Sequence, residues 1–219
     1  HPDLEELDAM KMRATAADGP EGEIMRVLHT FVRHKFEEGN QMESIEYLRK
    51  AISILSREPH PTFSMAKFNA YCYLMLGAAY DEAGLYSLSK SYYFKGLEIS
   101  ESIGDEIGCG DFYNNLGVTC LRLDNVEEAE KYFDKVIEIC NKHGENHLQS
   151  VVYNNLCEVY TSHGDYNKAI DVALRSMQHI DEELNPFDYY LTQTMIGEIY
   201  MRMNRPELCY TYLKNAFIN

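Results

Sequence analysis

The sequence predicts an all-α protein, a solenoid of about five helix-turn-helix pairs stacked in series. Two observations carry this prediction. First, four ten-residue stretches align at intervals of forty: YCYLMLGAAY from Tyr71, DFYNNLGVTC from Asp111, VVYNNLCEVY from Val151 and LTQTMIGEIY from Leu191. Self-similarity at a fixed period of this size marks an array in which each copy is one supersecondary unit. Second, apolar residues recur at helical spacing along the chain, and no stretch shows the strict alternation of a half-buried strand.

Within each copy a large apolar residue (Leu76, Leu116, Leu156, Ile196) precedes a small one (Gly77, Gly117, Cys157, Gly197). Three residues later comes Tyr80, Cys120, Tyr160 or Tyr200, a spacing that gathers these groups on one helix face. A turn residue then closes each first helix: Gly84, Asp124, Gly164 and Asn204. The second helix of each pair follows, as LYSLSKSYYFKGLEI from Leu85, NVEEAEKYFDKVIEI from Asn125, DYNKAIDVALRSMQHI from Asp165 and RPELCYTYLKNAFI from Arg205. From Asn125 onward, Val126, Ala129, Tyr132, Phe133, Val136 and Ile137 share one side, with Glu127, Glu128, Glu130, Lys131 and Asp134 mostly opposite. Pro186 and Pro206 fall where a helix's first turn has no use for the missing N–H. A degraded earlier copy runs through EIMRVLHTFVRHKFEEG to Gly39 and then NQMESIEYLRKAISIL, with REPHPTF at 57–63 lengthening the connection. The segment DLEELDAMKMRA reads as one more helix. The expected organisation is an N-terminal helix or linker over 1–20 and a repeat array over 21–219, with pairs at about 21–58, 61–104, 105–144, 145–184 and 185–219.

Composition excludes several classes of function. The net charge is −15, with 35 acidic residues against 20 basic ones, so the clustered cations that phosphates require are missing and no nucleic-acid partner is expected. No apolar run is long enough to span a bilayer, and no cationic head leads into an apolar stretch, so neither a membrane partner nor a secretory leader is expected. The chain opens HPDLEEL rather than with methionine, which reads as an excised fragment. Cysteines stand at 72, 109, 120, 140, 157 and 209 with no CxxC pair, and three of them (120, 157, 209) replace small apolar residues of sister copies. They read as buried thiols in a reducing, cytoplasmic compartment. HExxH, GxSxG, GxxxxGK and a glycine-rich dinucleotide fingerprint are all missing, so no catalytic residue and no cofactor are expected. In CNKHGENH, Cys140, His143 and His147 have zinc-compatible types and an H-x3-H interval. Gly144 interrupts that helix and no fourth ligand is evident, while histidines at a helix end also meet the last carbonyls. No metal site is expected.

The alternation of Leu-Gly then Tyr in one helix, and Ala then an aromatic in the next, resembles tetratricopeptide repeats. Ala129 with Phe133 shows it best and Ala169 in YNKAIDVAL next, and the resemblance covers roughly 21–219. It departs from the family in its forty-residue period, where thirty-four is usual, and in lacking the closing proline, with Asn141 and Asp181 near that place. Ser89 and Cys209 replace the small alanine. Long repeats with YNNLG phrasing are similar to those of bacterial signalling proteins, namely peptide-pheromone receptors and the sensor segments that precede GGDEF diguanylate cyclase domains. No helix-turn-helix or cyclase motif occurs in the chain, so that placement is one of analogy. The resemblance implies a right-handed superhelix whose first helices line a concave groove. It further implies a non-catalytic, cytoplasmic module that binds a peptide or protein segment, as the regulatory part of a larger signalling protein.

On that frame, Asn114, Asn115, Val118, Leu121 and Arg122 face the groove, followed by Asn154, Asn155, Glu158, Thr161 and Ser162 in the next copy. An asparagine amide matches the donor and acceptor of a peptide unit, whose desolvation otherwise opposes binding. The resemblance implies this clamping role for Asn115 and Asn155. An asparagine on a helix also caps neighbouring backbone or faces water, so both readings stand here. The groove set also includes Arg26, His29, Thr30, Arg33, Met75, Asp81, Glu82, Asp111, Met195 and Glu198. Chaperone-binding members of the family hold a carboxylate end with basic residues, and here carboxylates occupy the middle. A neutral or basic segment with one or two apolar anchors fits better, with Met75 and Met195 as adaptable surfaces; a simply solvated acidic face is the alternative. Near the end, LKNAFIN leaves Leu208, Tyr212, Leu213 and Phe217 partly uncovered. Either an output domain follows in the native protein, or two chains cover each other as a homodimer and the module is a self-associating scaffold.

Overall fold

The computed structural model describes residue 22 and residues 41–218 apart from 145, 181 and 184. The helices expected over DLEELDAMKMRA and EIMRVLHTFVRHKFEEG, and the groove positions Arg26, His29, Thr30 and Arg33, lie outside the described residues. Every described element is an α-helix: α1 (Gln41–Leu55), α2 (Phe63–Glu82), α3 (Tyr86–Ser102), α4 (Glu106–Arg122), α5 (Val126–His143), α6 (Asn146–Ser162), α7 (Tyr166–His179), α8 (Pro186–Arg202) and α9 (Pro206–Ile218).

Local chemistry sets the helix ends. Thr62 caps α2 by accepting from the Met65 N–H, and Asp165 caps α7 by accepting from the Lys168 N–H. Asn125 caps α5 in both directions: its Oδ1 accepts from the Glu128 N–H, and its Nδ2 donates to the Glu128 carboxylate at 2.8 Å. Glu127 and Glu128 in the first turn of α5, and Lys142 and His143 in its last, complement the helix dipole. Pro186 and Pro206 open α8 and α9, as their missing N–H allows. The four expected turn residues all adopt left-handed backbone, with φ of 75° at Gly84, 57° at Asp124, 78° at Gly164 and 56° at Asn204. Glycine, aspartate and asparagine are the residues that reach this region at least cost.

The chain forms two compact units, residues 1–115 and 116–219. In the first, α1 packs on α2 and α2 on α3 around Leu48, Ala51, Cys72, Leu76 and Tyr80. In the second, α5 packs on α6, α6 on α7, α7 on α8 and α8 on α9. Close approach within each unit depends on pairs of positions sixteen apart. A Cβ at Gly77 would lie 2.3 Å from the Tyr93 ring, one at Gly117 2.6 Å from the Phe133 ring, and one at Gly197 2.7 Å from Leu213. The remaining pair reverses the sizes: Cys157 stands in the glycine place and Ala173 in the place of the large residue, both fully buried. At three of the four pairs the glycine makes room for a bulky partner, as dense interiors demand.

The cysteines are free thiols; five are buried and Cys209 is half-buried. Burial pushes the Cys72 thiol up to about 12 and those of Cys109 and Cys157 up to about 11. A thiol reagent at pH 8 should therefore modify Cys209 rapidly and the other five only after unfolding; fast reaction of two or more would contradict this packing. The same shifts fix a pH dependence. Below the ordinary thiol value of about 8.5 both folded and unfolded chains hold their thiol protons. Between that value and about 11–12 only the folded chain does, so the contribution of these thiols to stability is lost as pH rises through this window. Among the described residues, no helix is long and apolar enough to cross a membrane.

Candidate functional site

In the second unit a groove of about 600 Å³ opens between α6 and α8. The α6 wall carries Asn154, Asn155, Glu158, Thr161 and Ser162; the α8 wall carries Leu191, Met195, Glu198, Ile199 and Arg202. Helical spacing produces each wall, since 154, 155, 158, 161 and 162 share one face and 191, 195, 198, 199 and 202 another. The two differ in chemistry. Leu191, 43% exposed, and Met195 make the first half of the α8 wall apolar, Phe187 one turn earlier is 77% exposed, and Glu198 and Arg202 follow in the second half. The α6 wall is amides, hydroxyls and a carboxylate. The hydroxyl protons there are already spent on the helix itself, with Thr161 Oγ1 donating to the Cys157 carbonyl at 2.7 Å and Ser162 Oγ to the Val159 carbonyl at 2.8 Å. Glu158 and Glu198, forty residues apart, are both exposed at the groove.

The two asparagines of α6 have different surroundings. Asn155 makes no side-chain hydrogen bond among the described residues and is open to the groove. Asn154 is anchored from behind: Ser176 Oγ of α7 and Thr192 Oγ1 of α8 meet its side-chain amide at 2.9 and 3.3 Å. Both hydroxyl residues are fully buried. This ties three helices together at one polar joint beneath the groove.

Seven of the residues expected in a groove (Asn154, Asn155, Glu158, Thr161, Ser162, Met195, Glu198) are thus brought together, and the other nine that fall among the described residues do not line it. Asn115 donates its amide N–H to the Asp111 carbonyl of its own helix at 2.8 Å. Asn114 is half-buried, and its Oδ1 is buried without a hydrogen-bond partner. Asp111 and Arg122 are exposed. One expectation needs correction. Asp81 is only 6% exposed, so it presents no carboxylate to a solvated surface. Met75 is half-buried and packs against the Leu48–Leu76–Tyr80 core of the first unit. Leu191 and Ile199 of the groove, and the Ser176–Thr192 joint behind it, were not foreseen. A signal for the joint exists in the sequence: forty residues earlier the same places hold Val136 and Val152, so hydroxyls break an apolar register.

A second cavity, of about 450 Å³ in the first unit, is lined mainly by apolar side chains such as Leu55, Phe63 and Ile99. No group of three or more His, Cys, Asp or Glu side chains able to hold a metal occurs among the described residues. Cys140 is buried, and the side chain of His147 lies outside the description.

Residues 110–181, from within α4 through α7, match the family model described as tetratricopeptide repeat. Among curated proteins no sequence matches the chain. Solved structures match along nearly its whole length. BtubC (BKLC) from P. vanneervenii is 21% identical with a TM-score of 0.76, covering 96% of this chain and 89% of its own. The Rap conjugation gene regulator of the plasmid pLS20, solved with the Phr* peptide, is 19% identical with a TM-score of 0.67, over 89% of this chain and 52% of its own. The apo quorum sensor NprR from B. thuringiensis is 16% identical with a TM-score of 0.75, over 97% of this chain and 58% of its own. The chain therefore spans just over half the length of the last two. The fold is that of tetratricopeptide repeats, helix hairpins stacked in series.

Proposed function

We propose that this tetratricopeptide-repeat chain is a non-catalytic, cytoplasmic module that holds an extended, neutral or basic peptide segment between α6 and α8. It serves as the regulatory part of a larger bacterial signalling protein. The observation that carries the reading is the pairing of an amide-bearing polar wall with the apolar Leu191–Met195 stretch of α8 across one groove. An extended peptide has the same division: backbone N–H and C=O groups that must be satisfied, and alternate side chains seeking apolar contact. Asn155 supplies the unengaged amide, Leu191 and Met195 the anchor surface, and Glu158 with Glu198 the preference for cationic over anionic residues. The Rap regulator was solved with a peptide bound, which accords with this use of the fold.

Fluorescence polarisation against pools of labelled decapeptides tests the reading. Selected peptides should bind wild type and lose about 1–3 kcal/mol with Asn155→Ala, the magnitude of a backbone hydrogen-bond pair left unmade. Asn115→Ala should change affinity far less, since that amide is engaged by its own helix. Unchanged binding by Asn155→Ala, or no binding by any pool, overturns the proposal.

A second reading rests on α9, where Leu208 is 43% and Tyr210 66% exposed. It makes the chain a scaffold that self-associates as a homodimer through its terminal repeat. Under it, mass in solution rises with concentration and falls back with Tyr210→Glu, while groove variants have no effect.

A further inference from the structure

We infer that Asn154 turns its amide carbonyl, and not its NH2 group, into the groove, so that it accepts a hydrogen bond from a ligand N–H. The inference deepens the groove reading and rests on it for the ligand, though not for the orientation of the amide.

The argument is a proton count at the joint behind the groove. Amide oxygen and nitrogen are nearly isosteric, so the partners decide which of them faces inward. Two oxygens meet the inward end of the Asn154 amide, Ser176 Oγ at 2.9 Å and Thr192 Oγ1 at 3.3 Å. Each hydroxyl owns one proton and can accept others. Each also faces a backbone carbonyl: Ser176 Oγ lies 3.3 Å from the Ser150 oxygen, and Thr192 Oγ1 2.9 Å from the Asp188 oxygen. With the amide carbonyl inward, only the two hydroxyl protons are available for these four contacts, so two of the four bring oxygen to oxygen with no proton between them. With the NH2 inward, its two N–H groups donate to the two hydroxyl oxygens, and the hydroxyl protons go to Ser150 and Asp188. Four protons then make four hydrogen bonds. Buried polar groups favour the arrangement that leaves none unmade, because Ser176 and Thr192 are fully buried.

The consequence reaches the ligand. The groove then presents the Asn154 carbonyl, the Glu158 and Glu198 carboxylates, and the lone pairs of Thr161 and Ser162, whose protons are spent on their own helix. Among the described residues, Arg202 is the one cationic side chain of the lining. This is an acceptor-rich surface, and the segment it selects is rich in donors: backbone N–H groups flanked by lysine or arginine. Asn114 cannot be set in this way by the same register, since its repeat carries Val136 and Val152 where Asn154 has hydroxyls.

Side-chain amide exchange in the unliganded full chain tests the orientation directly. The NH2 pair of Asn154, identified in 1H–15N spectra by its loss in Asn154→Asp, should exchange at least about tenfold more slowly than that of Asn155, because it is enclosed by hydroxyls. Exchange as fast as Asn155 overturns the inference. Binding tests the acceptor role. Asn154→Asp keeps an oxygen toward the groove and offers the other to both hydroxyl protons, so lysine-containing decapeptides should bind within about threefold of wild type or more tightly. Loss of their binding by tenfold or more in a folded Asn154→Asp chain means that the NH2 served the ligand, and sinks the inference. Slow exchange with no pool bound by wild type upholds the orientation and overturns the groove reading alone. Should Asn154→Asp not fold, Ser176→Ala with Thr192→Val recreates the apolar register of the preceding copy. It should bring Asn154 exchange up to the rate of Asn155, and unchanged protection there counts against the inference.

Discussion

Replacing Phe133 by alanine should lower stability by about 3–5 kcal/mol, the cost of a large cavity in a fully buried aromatic site. What gives the prediction its edge is the expected rescue. Gly117 sits so close that a Cβ there would lie 2.6 Å from the Phe133 ring, so Gly117→Cys alone also destabilises the chain. Forty residues on, however, the chain itself pairs Cys157 with Ala173 at the equivalent places. The Gly117→Cys, Phe133→Ala chain copies that solution, and it should recover part of the loss, on the order of 1–2 kcal/mol by a double-mutant cycle in urea. Simple additivity of the two costs would show that the sizes at sixteen-residue spacing are not coupled, and would remove the packing rule proposed for the repeats.

Reversing both groove carboxylates, as Glu158→Lys with Glu198→Lys, should reverse the charge preference for peptides. Binding of lysine-containing decapeptides should fall by about tenfold to a hundredfold at low salt, with aspartate-containing ones gaining. Both side chains are exposed, so the effect should shrink as ionic strength rises and the Debye length falls toward about 8 Å. Stability should change little, since neither glutamate is buried. An unchanged ranking of peptides at low salt would mean that the carboxylates are only a solvated face.

Much of the fold was legible because it rests on local, repeated signals. Gly84, Asp124, Gly164 and Asn204 announce the turns by residue type, and Pro186 and Pro206 announce helix starts. The glycines at 77, 117 and 197 announce close contact with a large residue of the next helix. The site was legible in part. The α6 face with Asn154, Asn155 and Glu158 follows from helical period alone, as do Met195 and Glu198 on α8. What the period cannot give is how far a position is covered by its neighbours. Asp81 occupies a groove-facing register yet is buried, and Met75 is half-covered against the core of the first unit. The identical Asn-Asn pairs illustrate the limit best. Asn114 and Asn154 share a sequence setting, but one has a buried oxygen without a partner and the other meets two hydroxyls supplied by α7 and α8. Those partners lie 22 and 38 residues away, beyond any local pattern.

The central claim is that a peptide occupies the groove between α6 and α8, and photo-crosslinking tests it most directly. A decapeptide selected by polarisation, carrying a photoreactive residue at its apolar anchor position, would be irradiated on the full chain and the adducts located by mass spectrometry. The account predicts adducts on Leu191, Met195 or the neighbouring turn of α8, competed away by unlabelled peptide and weakened by Asn155→Ala. Competable adducts confined to the exposed face of α9, around Leu208 and Tyr210, would contradict it and turn attention to the terminal repeat as the working surface.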